Sequence, residues 1–246
     1  MKHNMRVDNT HPSRCRTLED LNSRISAHLH IDNAGSGLES IALMLSQFGQ
    51  QGLAGYLDYL ITNDDEMSAL ARRSYIHGNG FYKIPLVTSP THTVRIHIWR
   101  GDCAAEENLH THRWPLASAV VHGTLTAEYW ADDTSRNGIV YNELMYRNKE
   151  DEPTLLGECR IRLEETREHL AGEHYWMMAD KLHRIVNVGK GLTITLMMRP
   201  INTRSWTRLI PFGNPVPDVK PSYLGVSELR VMLVMAYGAL TGQTKI

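Results

Sequence analysis

The feature that most constrains the fold is a series of short segments between residues 80 and 199 in which two kinds of side chain alternate. In the clearest segment, residues 94–99, three β-branched apolar residues alternate with arginine, histidine and tryptophan, as expected of a strand with two different faces. Further strand-like runs cover residues 80–87, 115–122, 124–130, 138–146, 154–163, 173–178, 183–188 and 192–199. Short strands separated by glycine-containing turns predict a mainly β chain built as a sandwich or barrel.

Helical spacing of apolar residues precedes and follows this strand region. Thr17 has a side chain suited to a helix N-cap, and Asp20 stands three positions later, as in a capping box. A second helix is predicted from Ser36 to Phe48, with Gly49 as its C-terminal stop. The remaining helices are predicted at 53–61, 64–73 and 224–240. Helices therefore flank the β region on both sides.

The length and composition of the chain suit one large domain. Its 246 residues are 42% hydrophobic, enough to bury a sizeable core. The predicted organisation is a loose N-terminal segment at 1–16, a helical region packed on the barrel at 17–75, the barrel at 76–210, and a proline-rich loop with a C-terminal helix at 211–246.

Charge and cysteine content argue against several functional classes. The formal net charge is −1, so the chain has no basic excess with which to neutralise nucleic-acid phosphates. No apolar run approaches the ~20 residues that span a bilayer, and the first residues contain no signal-peptide core. Three widely spaced cysteines are typical of a reducing compartment. We therefore expect a cytoplasmic protein that binds neither nucleic acid nor a membrane.

A His-x-His segment is the first candidate site. His110 and His112 are two residues apart, so in a strand their side chains point to the same face. Two imidazoles placed in this way suit iron, zinc, copper or nickel. The chain contains 13 histidines, however, and core histidines on barrel strands remain the alternative for any single pair.

A second segment makes a family resemblance specific. It runs from Gly172 to Asn187 and contains another histidine. Together the two segments resemble the motifs of the cupin superfamily: a glycine, His-x-His and a closing glycine, then a glycine and a histidine followed four residues later by asparagine. The matching residues are Gly101, His110, His112, Gly123, Gly172, His183 and Asn187. The resemblance implies a cupin, jelly-roll-like β-barrel that holds one metal ion through His110, His112 and His183.

The ligand set resembles one branch of that superfamily. Most cupins have a glutamate ligand four or five residues after the second histidine, where this chain has Leu116 and Ala117. Three histidines without a carboxylate are the pattern of cysteine dioxygenase and related thiol dioxygenases. Neutral imidazoles leave a divalent ion its full charge, which favours an anionic or chelating substrate. On an octahedral ion they also leave three positions, enough for a bidentate substrate and O₂.

Departures from cysteine dioxygenase argue against cysteine as the substrate. The crosslinking cysteine of that family corresponds to Ala117, and its catalytic tyrosine aligns with Met197. The serine and histidine that support this tyrosine fall near Thr193 and Thr195. The resemblance therefore implies oxidation of another small metal-chelating molecule, such as a different thiol, an amino acid or a small acid.

Other residues are candidates for binding substrate or moving protons. Arg95 can bind a substrate carboxylate if its side chain points inward, with a surface position as the alternative. His97 lies on the same strand face, where we favour a core histidine over one that lines a cavity. Tyr129, Tyr141 and Glu143 lie on strands from which they could hold substrate or supply a proton, although barrel packing or solvent exposure is the alternative for each.

Three functions follow from these observations. The first is a mononuclear non-haem iron(II) oxygenase or dioxygenase that oxidises a small molecule with O₂; Fe(II) is the expected metal, with Zn, Ni or Mn as alternatives. The second is a zinc- or nickel-dependent lyase, isomerase or hydrolase, in which Glu128, Glu143 or a tyrosine moves protons. The third is a cupin that binds a ligand without turning it over. Because cupin barrels often pair edge to edge, we also expect a homodimer.

Overall fold

The computed structural model describes residues 17–29, 36–101, 107–135, 139–147, 152–188, 191–212 and 221–243. The predicted loose segment at 1–16 and most of the proline-rich loop lie outside these ranges. The helices are α1 (Leu18–His28), α2 (Ser36–Thr62), α3 (Asp64–Ala71) and α4 (Val226–Thr241). No helix in the described ranges is both long enough and apolar enough to cross a bilayer.

Between α3 and α4, the described residues form thirteen strands. They are β1 (Tyr75–Ile76), β2 (Tyr82–Thr88), β3 (His92–Arg100), β4 (Leu109–His110), β5 (Leu116–His122), β6 (Thr124–Asp132), β7 (Val140–Tyr146), β8 (Thr154–Leu170), β9 (His174–Met177), β10 (Leu182–Val188), β11 (Leu192–Pro200), β12 (Thr207–Ile210) and β13 (Ser222–Tyr223). The predicted fold class, a mainly β chain with helices before and after a barrel, is confirmed.

The N-terminal helices form where the sequence predicts them. The Thr17 side chain accepts a hydrogen bond from the backbone N–H of Asp20 at 3.1 Å, which caps α1. Gly49 interrupts α2 with a φ of 44° and a ψ of −147°, values that glycine adopts at little cost. The helices predicted on either side of Gly49 are therefore two arms of one kinked helix.

Sheet A has two faces with different neighbours. Its strand order is β13-β1-β2-β3-β11-β5-β9. On β3, Val94, Ile96 and Ile98 are buried in a cluster with residues of the helices. Their neighbours on the other face, which include Arg95 and His97, line a pocket. The alternation seen in residues 94–99 therefore separates a helix-covered core from a cavity.

Sheet B closes on itself and forms the other side of that cavity. Its six strands pair in the order β10-β4-β12-β7-β8-β6, and β6 returns to β10. The long strand β8 makes this closure possible, because its first half pairs with β7 and its second half with β6. The sequence predicts only the first ten residues of β8. Strands as short as β1, β4 and β13 show no detectable period and were not predicted.

Gly123 supplies a tight connection between β5 and β6 that no other residue can supply without strain. Its φ is 74°, and a Cβ atom would lie 2.5 Å from the backbone oxygen of Leu192. We expect Gly123→Ala to lower the free energy of unfolding by about 2–4 kcal/mol, since backbone strain and overlap add. Urea denaturation measures this loss.

Gly55→Ala is the matched control for this substitution. Gly55 lies in α2, and an added Cβ would meet no atom within 4 Å. Alanine at this helical position should raise the free energy of unfolding by up to about 1 kcal/mol. Equal effects of the two substitutions would contradict the structural role given to Gly123.

Candidate metal centre

Three histidines, two from one segment of the chain and one from another, meet at one end of the pocket. His110 ends β4, His112 follows two residues later, and His183 on β10 lies directly opposite His110 in the strand pairing. The ring centroids are 4.6 Å apart for His110 and His183, and 4.9 Å apart for each of the other two pairs. One nitrogen of each ring lies within 4.8 Å of the corresponding nitrogens of the other two. This near-equilateral arrangement can surround a single cation.

Backbone carbonyl groups fix the tautomer of two of these rings. Nδ1 of His110 donates to the carbonyl of Asn108 at 2.9 Å, and Nδ1 of His183 donates to the carbonyl of Lys181 at 3.1 Å. A carbonyl oxygen only accepts, so the proton of each neutral ring lies on Nδ1. The lone pair of Nε2 is then available to a metal, as in known histidine sites where the other ring nitrogen is hydrogen-bonded.

Burial keeps the rings of His112 and His183 unprotonated. Burial, followed by the neighbouring His110, lowers the pKa of His183 to about 3, and only 4% of this residue is exposed. Burial together with the other two imidazoles holds the pKa of His112 well below its ordinary value. Neutral imidazole is the form that binds metals, so these rings are ready to act as ligands at physiological pH.

The pocket between the sheets has a volume of about 190 Å³, which suits a small molecule. Leu116 lines this pocket with an apolar side chain, at one of the positions where most cupins have a glutamate ligand. Its neighbour Ala117 faces the helices. The pocket walls are largely aromatic and apolar, with a few charged and polar groups. These wall residues include Phe81, Lys83, Arg95, His97, Trp99, Glu107, Arg113, Trp114, Tyr175 and Met197.

Arg95 points into this pocket and not to the surface. Only 5% of it is exposed, and its Nε has no hydrogen-bond partner among the described residues. Burial, with a smaller contribution from Arg199, lowers the pKa of Arg95 to about 9. Arg95 remains a cation at neutral pH and is placed to bind an anionic group of a ligand.

His97 also lines the pocket, although the sequence analysis favoured a core histidine. It is 8% exposed, and its Nε2 has no partner in the described structure. Its ring lies 4.7 Å from that of Phe81 and 5.6 Å from that of Trp99. Burial and the charge of Arg95 hold its pKa well below the ordinary value, so His97 is a neutral polar group in an aromatic wall.

The two candidate tyrosines lie outside the pocket lining. The hydroxyl group of Tyr129 hydrogen-bonds with Nε2 of His169 at 3.1 Å, and burial raises the pKa of this phenol. Tyr141 stacks on Phe212 with a centroid distance of 5.3 Å. Both rings pack within the barrel wall. Among the described residues, neither hydroxyl group contacts the three histidines.

The two candidate carboxylates are occupied in ion pairs. Glu128 accepts from Nε of Arg184 at 2.7 Å, and Glu143 accepts from Nε of Arg208 at 2.6 Å. The second function considered above relies on one of these groups or a tyrosine to move protons. Both carboxylates are instead held by arginines, outside the residues that line the pocket.

Glu107 is the pocket carboxylate that sequence reasoning missed. It is 4% exposed, and its Oε2 accepts a hydrogen bond from the backbone N–H of Ile185 at 3.1 Å. Among the described residues it forms no ion pair. The sequence indicates Glu107 only through its position three residues before His110. This signal is weak because Glu107 lies before β4, outside any strand whose alternation would show where its side chain points.

Trp114 and Tyr175 were also missed, and each had a detectable signal. Trp114 continues the two-residue spacing of the histidines, and its ring stacks on that of His112 at 5.5 Å and 20°. Tyr175 lies opposite Ser118, which in turn lies opposite Met197, so Met197 and Tyr175 share one row of sheet A. Burial raises the pKa of Tyr175 to about 12, so this phenol is neutral.

The positions that align with the catalytic tyrosine of cysteine dioxygenase and its supporting residues hold methionine and threonine side chains in this chain. Met197 lines the pocket, and the Thr193 hydroxyl group donates to the backbone carbonyl of Thr124 at 2.9 Å. Thr195 is buried. Asn187 belongs to β10, but its side chain lies outside the described part of the structure.

No protein-family model matches the chain, and no curated protein matches it. Partial likeness is found to hydroxypropylphosphonic acid epoxidase from S. wedmorenis, with a TM-score of 0.33 and 12% identity over 52% of this chain and 56% of that one. Hydroquinone 1,2-dioxygenase PnpCD gives a TM-score of 0.34 and 15% identity over 60% of this chain and 76% of that one.

A cupin superfamily protein from Desulfitobacterium hafniense gives a TM-score of 0.28 and 12% identity over 54% of this chain and 88% of that one. The chain spans about half the length of some of the similar structures, namely 56% of the epoxidase and 47% of a DMSP lyase.

The buried neutral histidines predict that acid destabilises the metal-free protein. Burial lowers the pKa of His97 and of His169, so below pH ~6.5 the unfolded chain binds more protons than the folded one. The free energy of unfolding is therefore highest above that pH and decreases as the pH falls, because the two buried histidines resist protonation. Between about pH 7.5 and pH 5, each such histidine should account for up to about 2 kcal/mol.

Urea denaturation of the metal-free protein at these two pH values measures the loss. His97→Gln should reduce the difference between them, whereas His28→Gln should not, because His28 is exposed on α1. An unchanged difference in the His97→Gln variant would show that this ring is not held neutral.

Proposed function

We propose that this chain is a cupin-type oxygenase that binds one iron(II) ion through His110, His112 and His183 and oxidises a small chelating acid with O₂. The observation that supports this proposal is the convergence of three imidazoles, each with one ring nitrogen turned toward the other two, in a pocket between the sheets. A structural cluster of core histidines would not need three mutually facing nitrogens beside a cavity with charged walls.

The donor set fits a divalent transition metal. Two Nε2 atoms are presented by rings whose Nδ1 protons are held by carbonyl groups, and the third ring is stacked on Trp114. No carboxylate of the described residues joins the three imidazoles within the same short distances. Imidazole suits iron, zinc, copper and nickel, whereas magnesium and calcium prefer oxygen ligands.

Iron(II) held by these residues would supply the redox chemistry that O₂ requires. The chain itself supplies orientation and exclusion of water. In this proposal Arg95, which lines the pocket, holds an acid group of the substrate through two parallel hydrogen bonds and so fixes the substrate in one orientation. The aromatic wall of Phe81, Trp99 and Trp114 excludes water around it, which strengthens this charge interaction.

Replacing one histidine tests the ligand assignment. We expect purified protein loaded with Fe(II) to contain one iron per chain, and His183→Ala to lower this content to less than about a tenth, because two imidazoles bind far more weakly than three. Elemental analysis measures the metal. The same variant should consume no O₂ with a panel of thiols, amino acids and small acids.

His28→Ala is the control, because His28 is an exposed histidine on α1 and should leave metal content and O₂ uptake unchanged. Full iron occupancy in His183→Ala would overturn the ligand assignment. Full occupancy in the unchanged protein without O₂ uptake for any compound would leave the metal site standing and reject the oxygenase.

Arg95 is expected to act on substrate binding more than on the chemical step. Arg95→Gln should raise KM for an acidic substrate by about tenfold to a hundredfold, since a charge-assisted pair contributes about 1.5–3 kcal/mol. The iron content should stay at one per chain. Steady-state O₂ uptake measures KM and kcat separately, and an unchanged KM would show that Arg95 does not contact the substrate.

Glu107 favours a second candidate, a redox-inactive reaction at zinc or nickel. A lyase, isomerase or hydrolase needs a group that moves protons, and Glu107 is a pocket carboxylate with no ion pair in the described structure. Anaerobic assays separate the two candidates. Turnover of a substrate without O₂, abolished by Glu107→Gln, would favour this second function over the oxygenase.

A further inference from the structure

Three arginines surround one tryptophan beside the histidines. The guanidinium carbon of Arg199 lies 4.5 Å from the ring centroid of Trp114, that of Arg113 at 5.6 Å and that of Arg95 at 5.8 Å. These side chains come from β11, from the segment after His112 and from β3. We call Arg95, Arg113 and Arg199 the arginine cluster.

The cluster has no acidic partner in the described part of the chain. None of its three members belongs to an ion pair there, although five other arginines do. Arg113 donates to the carbonyl of Arg147, and Arg199 donates to the carbonyl of Pro200 at 3.3 Å, but carbonyl groups carry no charge. The Nε atoms of Arg95 and Arg199 are buried without a hydrogen-bond partner among the described residues.

The three positive charges repel one another through a partly buried region. Arg199 contributes to the lowered pKa of Arg95, and Arg113 to that of Arg199. Packing on Trp114 offsets part of this repulsion, since guanidinium groups stack favourably on an indole ring. Among the described residues, unused donors and uncompensated charge nevertheless remain, and together they are complementary to an anion with several oxygens.

We propose that the arginine cluster binds a doubly charged oxyanion group, such as a phosphate or phosphonate, around Trp114, where Arg95 and Arg113 line the pocket and Arg199 lies outside its lining. Trp114 stacks on the cluster and also on His112, so the bound oxyanion lies next to the three histidines. The substrate would then carry two separate acidic functions. One is the chelating group at the metal, and the other is a tetrahedral oxyanion between the arginines.

The anion site itself does not depend on the proposed function. Only the inference that the oxyanion belongs to the substrate rests on that function. The test of the anion site therefore uses metal-free protein and inorganic phosphate. Titration calorimetry at constant ionic strength should show saturable binding of one phosphate per chain. Acetate, with one charge and two oxygens, should bind at least about tenfold more weakly.

Arg199→Gln tests the cluster directly, because Arg199 does not line the pocket beside the histidines. This substitution should weaken phosphate binding at least about tenfold, since it removes one of the three positive charges around Trp114. Arg162→Gln is the matched control for net charge. Arg162 lies on β8 with 59% of its side chain exposed, and its replacement should change phosphate affinity by less than about twofold.

Arg199→Lys adds a second, conservative variant. It retains the charge but loses the planar fork that stacks and donates in parallel, so its affinity should lie between those of the unchanged protein and Arg199→Gln. Circular dichroism confirms that the variants are folded, and Arg113→Gln replaces Arg199→Gln if the latter is not. Absence of saturable phosphate binding, equal binding of acetate, or equal losses in Arg199→Gln and Arg162→Gln would each overturn the proposal.

Discussion

Sheet A has to bury both of its faces, each against a different neighbour, and the rest of the structure follows from this constraint. Val94, Ile96 and Ile98 on one face of β3 form a single apolar cluster with α1, α2, α3 and α4. The opposite face cannot be covered by helices, so it closes against sheet B and leaves a cavity. A shift of one residue in the register of β3 would exchange these faces and place charged groups under the helices.

The sequence was most informative where a regular pattern extends over many residues. The alternation in residues 94–99 places the side chain of Arg95 on the pocket face, and helical spacing predicts every helix in the described structure. The three histidines were found because their motif spacing resembles that of a known superfamily. Each of these predictions depends on contacts between neighbours in one element or on a repeated motif.

The groups that sequence reasoning missed reach the site through irregular backbone or through pairing between distant strands. Glu107 precedes β4 outside any strand, and its position depends on a hydrogen bond from Ile185. Tyr175 joins the row of Met197 only through the pairing of β9, β5 and β11. The partners of Tyr129 and Glu143 were likewise set by tertiary contacts, so the roles considered for these residues could not be distinguished by local pattern.

The charges of the pocket are distributed unevenly, and this asymmetry gives the site a direction. Burial keeps the imidazoles of His112 and His183 neutral, so these two ligands add no charge of their own. Arg95 and its neighbours around Trp114 make one side strongly positive, whereas Glu107 is the acidic residue among those that line the pocket. Under the proposed function, this distribution favours a single orientation of a ligand with a negative group at one end.

The short strand β4 determines when this site can exist during synthesis. His110 pairs with His183 on β10 and with Leu209 on β12, so its two backbone neighbours lie far along the chain. A growing polypeptide that has emerged only as far as β9 holds His110 and His112 without the third ring or the strand that supports them. The three rings can therefore be held in this arrangement only after β10 and β12 have been synthesised.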